Sequence, residues 1–97
     1  MAVNVAYSDL ILVFEIPEDL NEKMQELGDK PEIVSLGEDG ALTVKLDGEE
    51  YAMHTILFAD ERKALDGADF NLNLIKGETW GSQYLYLEFE SIVVHAP

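Results

Sequence analysis

The stretch Ala41–Phe58, ALTVKLDGEEYAMHTILF, constrains the fold more than any other in the chain. Leu42, Val44 and Leu46 alternate with Thr43 and Lys45, the period-two pattern of a strand with one buried face. Asp47-Gly48 then supplies the residue pair best able to adopt positive φ in a tight hairpin. The returning segment, Tyr51–Phe58, places Tyr51, Met53 and Leu57 on one face and Ile56 and Phe58 on the other. Large apolar groups on both faces predict a central strand covered on both sides.

The flanking segments are expected to supply the covering layers. Ala2–Tyr7 alternates weakly and reads as a short edge strand, Ser8-Asp9 as a break, and Leu10–Ile16 as a core strand apolar on both faces. Pro17 ends that strand and suits the first turn of a helix, where its missing N–H is no loss. Glu18–Leu27 is the only good helix: Leu20, Met24 and Leu27 recur at helical spacing, Glu18 and Asp19 sit at the positive end of the dipole, and Gly28 can close it in a left-handed conformation. Asp19 and Lys23, four apart, are expected to pair on its surface. Glu32–Leu36, a turn at Gly37-Glu38-Asp39-Gly40 and the central hairpin predict a three-stranded meander. Ala59–Ala68 reads as a loop or short helical turn, and Phe70, Leu72 and Leu74 mark a strand that stops at Lys76-Gly77-Glu78. A turn then leads to Trp80 and Gly81, and the last strand runs from about Gln83 to Val94. The fold class is α+β and mainly β: an antiparallel sheet or small barrel of about six to seven strands, with one short helix after the first long strand. One helix cannot cover both faces of a parallel sheet, so a doubly wound fold is excluded.

Residues 1–97 are expected to form a single compact domain, long enough for one core. No run of about 18 apolar residues is present, and the start of the sequence lacks the basic and then apolar regions of a signal peptide. The absence of cysteine suits a reducing cytoplasm. The outlying property is charge, with 20 Asp and Glu against 6 Lys and Arg for a formal net charge of -14. Direct binding to nucleic acid or an anionic membrane needs cations that this chain lacks. A basic surface on a protein is the natural complement. General solubility and adaptation to high salt compete as plainer reasons for the charge, and five Lys against one Arg do not decide between them.

Little in the sequence carries chemistry. His54 lies in the central strand and His95 near the last residue, neither at a local ligand spacing, and no Gly-rich loop joins a strand to a helix. With twenty carboxylates some always fall close together, so paired acids have no specificity as a catalytic signal. Gly37-Glu38-Asp39-Gly40 and Asp66-Gly67-Ala68-Asp69 do not match the twelve-residue calcium loop of an EF-hand. No enzyme, cofactor or metal is expected.

The last strand is more informative. Leu85, Leu87 and Phe89 alternate with Tyr84, Tyr86, Glu88 and Glu90, giving an apolar face and a face of phenols and carboxylates. Residues two apart on a strand are about 7 Å apart, a spacing comparable with that of successive phosphates. A carboxylate row of this kind can stand in for a nucleic-acid backbone, with the tyrosines and Trp80 adding rigid contact area. The plainer account is an exposed sheet face in which Tyr supplies β propensity and Glu solubility. A second acidic group, Asp47, Glu49 and Glu50 at the hairpin tip, is expected to join Glu38 and Asp39 at one end of the molecule.

The segment LDGEEYAMHTILFAD with the final strand YLYLEFESIVV resembles, over about half the chain, the small triple-barrel subunits through which transcription and replication factors dimerise. That resemblance implies a structural or dimerisation subunit, a homodimer included. The residues themselves favour a different expectation: a non-enzymatic acidic protein that occupies a basic surface on a protein partner, of the type viruses and mobile elements direct against restriction or CRISPR machinery.

Overall fold

The computed structural model describes residues 3–37, 40–56, 68–69 and 71–96, with side chains described in 11–37, 40–56 and 71–91. The first strand, β1 (Val3–Glu15), leads into α1 (Glu18–Leu27), followed by the meander β2 (Glu32–Leu36), β3 (Ala41–Leu46) and β4 (Glu49–His54). A short β5 (Ala68–Asp69) and a 3₁₀ turn (Leu72–Leu74) then precede β6 (Ile75–Trp80) and the long β7 (Tyr84–Ala96).

Two antiparallel sheets result. In one, β3 lies between β2 and β4; in the other, β7 lies between β1 on one side and β6 and β5, successive along one edge, on the other. A single bridge, Phe14 to Thr55, ties the sheets together, with the Ile56 N–H donating to the Val13 carbonyl at 2.8 Å. Among the described residues the ladder goes no further. The expected small barrel is therefore not closed: β1 and β4 separate beyond the bridge.

The core fills the space between the sheets. Leu12, Phe14, Leu85, Leu87 and Phe89 from one sheet meet Leu42, Val44, Leu46 and Met53 from the other, and α1 inserts Leu20 with Met24 packed beside it. Leu20 is fully buried, so truncating it to Ala would remove about 2–5 kcal/mol. Gly28 closes α1 at φ 64°, its N–H donating to the Met24 carbonyl at 2.8 Å, and Pro17 stands at the N-cap, its carbonyl accepting from Asn21 at 2.9 Å. Asp47 and Gly48 turn the hairpin at φ 53° and 80°, as the Asp-Gly pair predicts.

Several local expectations are corrected. Ser8-Asp9 is no break: β1 runs unbroken from Val3 to Glu15, because pairing of Ser8 with Ser91 and of Leu10 with Phe89 keeps one register on both sides. β1 and β4 are not covered on both faces, since Ile11 in β1 is 52% exposed, Ala52 and His54 in β4 are exposed, and Ile56 just past β4 is 45% exposed. Leu57 and Phe58 lie outside the described residues, as does 59–67, where the loop or helical turn was expected. Leu72 and Leu74 belong to a 3₁₀ turn rather than a strand, because the Asn71 side-chain oxygen accepts from the Asn73 N–H at 3.0 Å and the Asn71 main-chain carbonyl accepts from the Leu74 N–H at 2.9 Å. Lys76-Gly77 does not end a strand but forms a bulge within β6. Lys23 reaches Asp47, Nζ to Oδ2 3.6 Å, and so ties the helix to the hairpin tip.

Candidate functional site

β7 carries the site, and its alternation decides which side chains are available. Leu85, Leu87 and Phe89 are fully buried, whereas Tyr84 and Tyr86 are 36% and 41% exposed and Glu90 is also exposed. Cross-strand partners share a face, so the outer surface continues from Tyr84 to Glu15, from Tyr86 to Val13 and Thr79, and from Glu88 to Ile11 and Gly77. It is a shallow sheet face: an aliphatic strip on β1, two phenols on β7, and carboxylates at Glu15 and Glu88.

Two features shape it further. The bulge at Lys76 brings its ammonium 3.5 Å from the Glu88 carboxylate, so one charge of the row is partly answered within the molecule. Gly77 lies directly against Glu88: a Cβ there would sit 3.3 Å from both the Cβ and Oε2 of that residue. Together with Ile11, Thr79 and Tyr86 these residues border a small groove of about 200 Å³.

Trp80 does not join this face. It pairs with Leu85, packs against the core, and donates its indole N–H to Glu78 Oε2 at 3.0 Å. Asp47, Glu49 and Glu50 are exposed at the hairpin tip as expected. Gly37 and Gly40 lie at the end of β3 away from the hairpin tip; Glu38 and Asp39, expected to join the tip at one acidic end, are outside the described residues.

The hairpin tip instead gathers charge from α1. Tyr51 donates its hydroxyl to Glu49 Oε2 at 3.1 Å, and its phenol is raised above the usual tyrosine range by partial burial, by that hydrogen bond, and by the negative charges of Glu49, Asp19 and Asp47. Sequence reading did not single out Asp19 or Tyr51 for this cluster, because only the packing of α1 on the hairpin brings them together.

The larger concavity, about 750 Å³, opens where β1 and β4 diverge. Glu15, Ile16 and Pro17 form one wall, Ala52 to Ile56 another, and Gln83 and Tyr84 the rim. Glu15 and Tyr84 thus belong both to the outer face and to this cleft. Among the described residues no three His, Asp or Glu side chains gather as a metal site requires, and no helix is long and apolar enough to cross a membrane. No protein-family model, curated protein or solved structure matches the chain.

Proposed function

We propose that this protein is a non-enzymatic acidic binder that occupies a basic surface on a protein partner in the cytoplasm, one that handles nucleic acid. In concrete form it is an inhibitor of the type viruses and mobile elements direct against restriction or CRISPR machinery, in which charge takes the place of DNA. The observation that carries the reading is the outer face of the β1–β7–β6 sheet, where Tyr84, Tyr86, Glu88 and Glu15 stand in register. Overall charge and shape agree with it. The molecule is 51 Å long and 25 Å by 21 Å across; a net charge of -14 over that length is about one negative charge per 3.6 Å, against roughly 3.4 Å per phosphate along one DNA strand. Long-range attraction would raise the association rate, and affinity would fall as salt rises.

The competing reading is a structural or dimerisation subunit. Val34 at the β2 edge and Lys76 at the β6 edge both fall at bulges, devices that blunt edges against pairing. A subunit of this shape would therefore not pair through β2 or β6 and would pack through the outer face, using Ile11 and Val13, or through the regular edge of β4. The test is affinity capture from a host lysate, washed at low and then high salt and challenged with duplex DNA. Release of a nucleic-acid-binding protein by salt or DNA supports the charge-mimic reading. A salt-resistant catch, or recovery of the protein itself alone, favours the subunit.

A further inference from the structure

The cleft between β1 and β4 is bordered by the end of β1 and by the β4 strand, so strand main chain can face it. The hairpin register fixes how. Leu46 and Glu49 flank a two-residue turn and exchange hydrogen bonds, and bonded pairs alternate from there, so Thr43 and Ala52 form a pair that exchanges none. Ala52 therefore turns both its N–H and its C=O away from β3. Two observed bonds agree with this phase: Thr55 N–H returns to the Gly40 carbonyl at 3.2 Å, and Ile56 N–H crosses outward to Val13 at 2.8 Å. On the opposite wall Val13 directs its carbonyl away from β7, and Glu15, two residues on, does the same, while Ile16 N–H turns back to Gln83 at 2.9 Å. Among the described residues the β1–β4 pairing consists of the Phe14–Thr55 bridge alone, so the outward main chain of Ala52 faces the cleft.

The edge is also regular. β2 and β6 carry register shifts, whereas β4 pairs with β3 without interruption from Glu49 to His54. An extended segment can add to a straight edge but not to a bulged one. The cleft, at about 750 Å³, lies within the range of ordinary ligand clefts. Its charge selects the occupant: among the described residues that line it, Glu15 and Glu18 are acidic and none is Lys or Arg.

We infer that this cleft receives an extended basic segment of the protein partner, which pairs with Ala52 as an added strand and places its cations against Glu15 and Glu18. The inference rests on the reading of the chain as a binder of basic protein surface. It names the mode of capture: main-chain hydrogen bonds in the cleft, continued through Glu15 and Tyr84 onto the outer face.

The test titrates ¹⁵N-labelled protein with a capped five-residue peptide alternating lysine and valine, and with its counterpart N-methylated at every peptide bond, equal in charge but without N–H donors at its peptide bonds. The expected result is shifts at the Glu15, Ala52 and His54 amides, slowed exchange of the Ala52 N–H, and binding about tenfold weaker for the methylated peptide. Ala52→Pro removes the outward N–H alone and should reduce binding of the parent peptide to the same level, with the Leu46 and Gly48 signals reporting an intact hairpin. Should that variant unfold, Glu15→Gln with Glu18→Gln is the substitute and should weaken the parent peptide by a similar factor. Equal binding of the two peptides, shifts spread evenly over the acidic surface, or no binding at all would overturn strand addition. Strand addition fails alone if the peptides bind equally while partner capture stays salt-sensitive and drops on replacing Glu88 and Glu90; a salt-insensitive partner removes both readings.

Discussion

The two faces of β7 share one backbone and differ in every other respect. Leu85, Leu87 and Phe89 are fully buried between the sheets, and one residue over, Tyr84, Tyr86 and Glu90 meet solvent. The inner face is fixed by volume, because a packed interior tolerates neither gaps nor excess atoms. The outer face has no such constraint on size or charge, yet it carries phenols and carboxylates in a row. Fold and recognition are therefore separable on a single strand, and substitutions can address either alone.

The largest effect should come from the inner face. Leu87→Ala or Phe89→Ala is expected to cost about 2–5 kcal/mol, a large share of the stability of a domain this size, measured by urea denaturation. Tyr86→Ser, one position from Leu87, should cost about 0.2–1 kcal/mol through its lost pairing with Val13. Equal losses at Leu87 and Tyr86 would break the comparison. Next in size is Gly40→Ala: the glycine sits at φ 82°, and a Cβ there would lie 2.7 Å from the buried Thr55 Oγ1, so strain and clash combine to roughly 2–3 kcal/mol. Gly48→Ala has similar positive φ but no atom within 4 Å, and its cost should be only about 1 kcal/mol. The difference between the two glycines isolates the bridge at Thr55 that joins the sheets.

The smallest effect concerns pH. The phenol of Tyr51 is raised in the folded state, so the native protein holds that proton more tightly than the unfolded chain. The associated stability is fully present below the ordinary tyrosine value of 10.0 and is lost as pH rises through the folded value. Spectrophotometric titration should show Tyr51 ionising late, and Glu49→Gln should bring it back toward the ordinary tyrosine range.

What was legible in the sequence was local. The Asp47-Gly48 turn, the helix from Glu18 to Gly28 and the alternation from Tyr84 to Glu90 each rest on chemistry contained within a few residues. Partners distant in sequence decided the rest. Ser8 looked like a break because its polarity was visible and Ser91 across the ladder was not. Gly77 looked like a strand end because a glycine that makes room for Glu88 cannot be told from one that makes a turn. Trp80 was grouped with the outer tyrosines because the bulge at Lys76 shifts the phase of β6, which sets Trp80 opposite Leu85. The cleft had no sequence signal, since it depends on where β1 and β4 part, and among the described residues one bridge joins the sheets there.

The central claim, that the outer face of β7 binds and the inner face folds, is tested most directly by Glu88→Gln combined with Glu90→Gln. Stability by urea denaturation and affinity for the captured partner should be measured on the same sample at two salt concentrations. The account predicts a stability change within about 0.5 kcal/mol, affinity roughly tenfold weaker at low salt, and a shallower dependence on salt. Unchanged affinity with unchanged stability would contradict it and assign the carboxylates of this face to solubility alone.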